Sequence, residues 1–426
     1  MTGFIVLISL IGIAFISIVT YEAIVSYKRN IRIYTLADSL VNVYCGVMER
    51  SFDLFYAVLF LMASEYIYLN WAPFQIPSNL FTWLIGLLMF DFIAYWFHRL
   101  SHEINIFWAA HIVHHQSEEL NFTTVFRVSF FAVIFRSLFF IWMPLVGFDS
   151  FTILTLGVFL AGYQFLTHSR MIGKLGILES FMTTPSHHRV HHGRNVQYMD
   201  HNYGHVFIIW DKMFGTFISE EEEPEYGITS GFESNSAIRA QFSYWQDLIT
   251  RASRAKKFSD KVKVFLKGPA WTPEDVGFLP SEYKTLPNGK RAKRDVRITK
   301  EMSAYILLGT AVTLGLFFRL VFLVKQLPSP SLTSLIENQE IVMYTLFVLV
   351  SVFAQGQMLE NTKNAFIAEI VRLVGFAFLA FYFFAQLEIA SWLIPAALAY
   401  SIISLTWLIR LTFFTGEQIT LVMKEA

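Results

Sequence analysis

Residues 2–21 carry no charge, and eight further apolar runs follow, at 54–68, 81–97, 130–146, 151–167, 302–324, 341–354, 365–384 and 389–408. A helix crosses a bilayer core with roughly 20 mostly apolar residues. Only 15% of the chain is charged, against about 25% in soluble domains. The expected fold is therefore an all-α integral membrane protein, a multi-span helical bundle of about nine spans. The opening run lacks a basic leader and a clear small-residue cleavage site, so it reads as a retained first span. Glu65, Asp91, Arg136 and Arg319 interrupt the runs, and such residues face a protein interior or a cavity.

Loop charge sets the orientation. Lys28, Arg29 and Arg32 follow the first run, residues 71–80 carry no charge, and residues 169–301 are rich in Lys and Arg. Alternation of sides then puts the long 169–301 segment in the cytoplasm. The runs 81–97 and 151–167 both end at that face. Within the segment, residues 251–300 hold fourteen Lys or Arg and five Asp or Glu. A solvated, positive-inside stretch is the plain expectation, and contact with anionic headgroups is the sharper one. Residues 240–250 have the pattern of an interfacial amphipathic helix. Formal net charge is zero, so nothing argues for nucleic acid. The single cysteine, Cys45, excludes an internal disulfide and a Cys-ligated zinc or iron–sulfur site.

All twelve histidines lie between His98 and His205. His98 and His102 form H-x3-H. His111, His114 and His115 form H-x2-H-H, and His188, His191 and His192 form another, with His187 just before it. His168 ends the 151–167 run. Residues at i, i+3 and i+4 share a helix face, so each group presents imidazoles side by side. Eight or more nitrogens are too many for one tetrahedral metal; two metals fit better. Neutral imidazole suits iron, zinc, copper and nickel, so ligand type does not choose among them. The expected ligands are His98, His102, His111, His114, His115, His168, His188, His191 and His192, with His187 and His205 as further candidates and His201 as a solvent-exposed residue. No catalytic residue is expected beyond these ligands. The bundle would thus carry a cytoplasmic, histidine-rich di-metal cap.

Asp91, Tyr95, His98 and His102 fall on one helix face at i, i+4, i+7 and i+11. Metal-bound histidines usually donate their second nitrogen to a carboxylate or carbonyl. Asp91 is the expected carboxylate, and Tyr95 and Asn202 are further residues expected around the ligands. Glu103, Glu118, Glu119, Asn121 and Asp211 also lie near the groups in sequence. Three portions are expected: membrane spans over 1–79, a catalytic portion with its cap over 80–300, and a histidine-free membrane bundle over 301–426.

The motifs Asp91-Phe-Ile-Ala-Tyr95-Trp-Phe-His98-Arg-Leu-Ser-His102, His111-Ile-Val-His114-His115 and His188-Arg-Val-His191-His192 resemble, in order, those of the fatty acid hydroxylase superfamily, which includes sterol desaturases. The tail from Asn202-Tyr203-Gly204 to Trp210-Asp211 and Gly215-Thr216 fits as well. Phe107-Trp108-Ala109-Ala110-His111, Thr184 through Asn195, and Lys267-Gly268-Pro269-Ala270-Trp271 resemble the alkylglycerol monooxygenase branch.

That resemblance implies a non-haem di-iron monooxygenase that hydroxylates an alkyl C–H bond of a lipid with dioxygen. Next to an ether oxygen, the product would be a hemiacetal that collapses to an aldehyde. It implies two iron ions, with His168 among the ligands. Some superfamily members carry one more histidine four residues later, where this chain has Ile172. Electrons must come from an external donor: tetrahydrobiopterin, as in the alkylglycerol branch, or a ferredoxin or cytochrome-type partner. No nucleotide-binding glycine fingerprint follows a strand. The compartment would be the cytoplasmic membrane of a bacterium or the endoplasmic reticulum of a eukaryote. Rival readings are a sterol, carotenoid or fatty acyl hydroxylase or desaturase, a metal-dependent hydrolase, and, outside enzymes, a metal transporter. A transporter would string its histidines along a path, whereas these gather at one face.

Overall fold

The computed structural model describes residues 2–280, 292–327, 331–384, 390–414 and 419–425. The part of the basic segment at 281–291 and the start of the expected 389–408 span lie outside the described residues. The chain is mostly helical. The first half runs α1 (Thr2–Lys28), α2 (Leu36–Asn70), α3 (Leu80–Glu103), α4 (Asn105–His115), α5 (Phe130–Phe140), α6 (Trp142–Val146), α7 (Ser150–Thr167), α8 (Pro185–His191), α9 (Ile209–Phe214), α10 (Ala237–Arg254) and α11 (Phe258–Leu266). Then come β1 (Ala292–Ile298), α12 (Lys300–Gln326), α13 (Leu332–Glu337), α14 (Gln339–Leu359), α15 (Ala365–Phe384), α16 (Ala390–Phe414) and β2 (Ile419–Glu425). Among the described residues, seven helices are long and apolar enough to cross a membrane: α2, α3, α7, α12, α14, α15 and α16.

Two expected spans differ from expectation. The run 54–68 is only the second half of α2, which starts at Leu36 behind its N-cap Thr35, whose hydroxyl accepts from Asp38 N–H. The first half of α2 is buried in protein: Tyr44 Oη sits 2.7 Å from Thr310 Oγ1 of α12. The run 130–146 folds as α5 and α6, broken at Ile141 shortly before Pro144, which cannot donate a backbone hydrogen bond. The two-stranded antiparallel sheet of β1 and β2, with Ala292 paired to Glu425 and Ile298 to Ile419, is a departure from an all-α fold.

The helices α2, α3, α5–α6 and α7 run side by side. At one end, Ile76 N–H donates to Gly147 carbonyl at 2.9 Å and Ser150 Oγ donates to Glu65 at 2.9 Å. Gly147 (φ 110°) passes so close to Phe74 that a Cβ would lie 2.3 Å from its carbonyl oxygen, so this turn requires glycine. The start of α2 and the ends of α3 and α7 meet at the opposite end, with the histidines. Phe90, Phe140, Phe148 and Leu156 form the apolar core between α3, α5–α6 and α7. The charges inside the spans are paired: Arg136 with Asp53, Arg319 with Glu340, and, in the C-terminal bundle, fully buried Arg372 with Glu369 at 2.6 Å.

Candidate metal centre

The histidines arrive on four supports. The end of α3 carries His98 and His102, α4 carries His111, His114 and His115, and His168 caps α7. The fourth support, α8, is a seven-residue helix that opens with Pro185 at its first position, where its missing N–H costs nothing. Glu179 fixes its start by accepting from Ser186 Oγ at 2.7 Å and Thr184 Oγ1 at 3.2 Å.

Nine imidazoles form two groups. His98, His102, His111, His115 and His191 make one; His114, His168, His188 and His192 make the other. Within each group the available ligand atoms all lie within 4.8 Å of one another. Each H-x2-H-H motif is divided between the groups. In α4, His111 and His115 go to the five-membered group and His114 to the other; in α8, His191 goes to the five-membered group and His188 and, just past its end, His192 go to the other.

The nitrogens fit metal ions. His98 Nε2 lies 3.1 Å from His111 Nε2, and His115 Nε2 lies 3.2 Å from the same atom. In the second group, His168 Nε2 is 3.1 Å from His114 Nε2 and 2.9 Å from His188 Nε2, which is 3.1 Å from His192 Nε2. Two ligands at right angles on a metal with bonds of about 2.1 Å would stand about 3.0 Å apart. Buried His102 Nε2 and His191 Nε2 have no hydrogen-bond partner, which is costly unless a ligand fills the space. Several outer nitrogens are held by backbone carbonyls: His98 Nδ1 by Tyr203 (2.8 Å), His191 Nδ1 by His201 (3.0 Å), His168 Nδ1 by Gln164 (2.7 Å) and His114 Nδ1 by Arg127 (3.3 Å). Each contact keeps a proton on Nδ1 and turns the Nε2 lone pair inward.

Burial, and secondarily the neighbouring imidazoles, holds the pKa of His111, His115, His188 and His192 well below the usual histidine value. Burial alone takes His168 down to about 4. These rings are neutral at pH 7, the form that binds a metal.

The other expected site residues fall elsewhere. His187 points away from both groups; its Nδ1 accepts from Thr184 N–H and its ring packs on Phe217. His205 stands 4.9 Å, ring to ring, from His98 but belongs to neither group. His201 is half-buried and contributes its carbonyl. Asp91 does not take a ligand's second nitrogen. Its carboxylate accepts from Val206 N–H, Phe207 N–H and the Trp210 indole, one step further out. Tyr95 bonds Thr216 and Arg99 and makes no hydrogen bond to a histidine. Asn202, in a left-handed conformation (φ 57°), ties the loop to His187 carbonyl and Ile218. The carbonyls of Tyr203, His201, Gln164 and Arg127 carry no sequence signal, since any residue supplies one. Asp211, which accepts from Tyr203 N–H, Gly204 N–H and Thr216 Oγ1, stands in the tail motif.

A membrane helical bundle with two buried clusters of inward-facing imidazoles defines the class as a polyhistidine membrane protein able to hold metal. The Fatty acid hydroxylase family profile matches residues 83–216, which span all twelve histidines. Alkylglycerol monooxygenase of Homo sapiens is 33% identical over 88% of this chain and 82% of its own length, and that of Xenopus tropicalis is 30% identical over 91% and 84%. Ornithine lipid hydroxylase OlsE of Rhizobium tropici is 33% identical over 34% of this chain and 44% of its own. No solved structure matches. The chain belongs to the alkylglycerol monooxygenase family of fatty acid hydroxylase proteins, and it is an oxidoreductase acting on lipid.

Proposed function

We propose that the chain is a di-iron lipid monooxygenase that hydroxylates an alkyl C–H bond, and that its substrates include alkylglycerols. The supporting observation is the pairing of two convergent imidazole clusters with relatives of that activity over most of the chain. One oxygen atom of dioxygen enters the C–H bond and the other leaves as water, with two electrons and two protons from an external donor. Oxidation at the carbon beside an ether oxygen gives a hemiacetal, which breaks into an aldehyde and a glycerol. Bound iron supplies the activation of dioxygen. The nine ligands are the imidazoles of the two clusters, as the sequence predicts; His187 and His205 are left out.

The chain's own residues do the rest. α3 and α7 run through the membrane and end at the clusters, so an alkyl chain lying along them reaches the centre. The buried carbonyls fix each ring. Phe90, Leu156 and their neighbours keep the approach dry. We place the histidine end in the cytoplasm, because the basic segment lies on that side and the uncharged 71–80 connection on the other. We also infer nine crossings: the seven long helices, α1, and α5–α6 acting as one. A tetrahydropterin fits a polar donor arriving from the cytosol.

The test is lipid mass spectrometry after incubation with 18O-labelled dioxygen and an alkylglycerol, with and without tetrahydrobiopterin. Labelled aldehyde, or glycerol product that depends on the pterin, is the expected result. Label in a hydroxylated acyl chain instead would move the substrate to that class, and no label in any lipid would sink the oxygenase reading.

A further inference from the structure

The expected amphipathic helix at 240–250 turns out to be half of a larger feature. Residues 237–254 (α10) and 258–266 (α11) form a hairpin packed on the outside of α4. Its inner side is fixed: Val264 and Leu248 are fully buried against Ala109. Asn105, at the start of α4, donates to Val264 carbonyl at 2.8 Å and accepts from Tyr244 Oη at 2.7 Å.

The outer side is unusual. Phe258, Val262 and Leu266 stand at i, i+4 and i+8, one face of α11, and are 80%, 42% and 61% exposed. Three large apolar groups on one helix face are costly in water, and Ile249 of α10 is a further exposed one at 59%. Lys256, Lys257, Lys263 and Lys267 flank the stripe and are exposed. The depth is set by α10: its Trp245 ring lies 5.0 Å from Phe131 and stacks 6.5 Å from Phe135, both on α5. The hairpin therefore sits beside the first turns of α5, where that apolar segment leaves the histidine end.

We propose that the α10–α11 hairpin is an interfacial anchor seated in the bilayer leaflet on the histidine side, with Phe258, Val262 and Leu266 in the acyl boundary and the lysines on anionic headgroups. An apolar face bordered by lysines is what such an interface accepts, and lysine stems reach from the apolar layer to the headgroups. Through Asn105 the anchor holds α4, the helix that carries His111, His114 and His115, at a fixed depth.

The test uses the full chain in nanodiscs. Cys45 is fully buried, so a bimane placed at Phe258→Cys, Val262→Cys or Leu266→Cys is read without labelling it; Glu221→Cys, at an exposed site of the cap, is the control. Expected is several-fold stronger quenching by a lipid doxyl-labelled near the top of its acyl chain at the three sites than at 221, with protection from aqueous iodide. Phosphatidylglycerol should deepen that quenching, and Lys256→Gln, Lys257→Gln and Lys263→Gln together should remove the dependence. If that variant folds poorly, raised salt on the unaltered lysines should do the same, because exposed charges are screened. Iodide access at the three sites equal to that at 221 would overturn the anchor, and equal lipid quenching in neutral and anionic discs would overturn the headgroup part.

Discussion

The ring of His98 is held by the backbone of Tyr203: His98 Nδ1 lies 2.8 Å from the Tyr203 carbonyl oxygen, across 105 residues of chain. The loop that delivers this carbonyl is gripped from two sides. Asp211 takes the N–H groups of Tyr203 and Gly204 at 2.8 and 2.7 Å, and Asp91 takes those of Val206 and Phe207 at 2.8 and 3.1 Å. Two helices distant in sequence thus set the angle of one imidazole.

Asp211→Ala leaves two buried N–H groups unmade and frees the carbonyl that orients His98. Loss of an orienting group usually lowers metal affinity by about 10–100-fold. Chelator competition followed by metal analysis should show that loss, with the five-imidazole site emptying first. Unchanged retention in a folded variant would mean the loop does not orient His98.

Adjacent histidines should behave differently. His188→Ala removes a member of the four-imidazole group, so the protein should lose one metal ion of two. His187→Ala removes no metal-facing imidazole; it takes away the acceptor at the start of α8, at a cost of about 0.5–2 kcal/mol typical of helix caps, and a ring packed on Phe217. Both ions should remain. Metal counting on the two purified variants separates the roles, and a shared loss would place His187 in the site.

The three motifs are legible in sequence because one-face helical spacing survives any tertiary arrangement. Their division between two clusters is not, since it depends on the angles at which α3, α4 and α8 meet. The full length of α2 escapes a hydropathy reading because Asp38, Glu49 and Arg50 interrupt its first half, which is buried by protein instead of lipid. The sheet escapes it too: β1 reads Ala292-Lys-Arg-Asp-Val-Arg-Ile298, charged enough to pass for a solvated loop. Asp91 was legible as a buried carboxylate needing partners, but residue type could not say that those partners are backbone N–H groups.

The metal-free protein should weaken in acid. His168 has a folded pKa of about 4 against an ordinary value of 6.5, so the unfolded chain takes up its proton first as pH falls. The stability contributed by keeping this ring neutral is complete above pH 6.5 and is lost progressively between about 6.5 and about 4. Bound metal opposes this, because protons and metal compete for the same lone pairs. Thermal melts across pH 4.5–7.5, with and without metal, should show a steeper acid decline in the stripped protein. A flat profile in stripped protein would contradict neutral buried imidazoles.

The C-terminal bundle has its own weak point, Arg372 with Glu369, both fully buried between α12, α15 and α16. Tyr305 Oη donates to Glu369 at 2.7 Å and Arg372 donates to Tyr400 Oη at 2.9 Å, so the pair sits in a polar network. Glu369→Leu alone strands a buried guanidinium, a change that usually costs about 3–5 kcal/mol. Removing both charges, as Glu369→Leu with Arg372→Met, should recover most of that loss, since a desolvated pair gains little over apolar packing. Thermal unfolding of the two variants in the same detergent decides it. Equal destabilisation of single and double variants would mean that the whole network, and not the stranded charge, holds the bundle together.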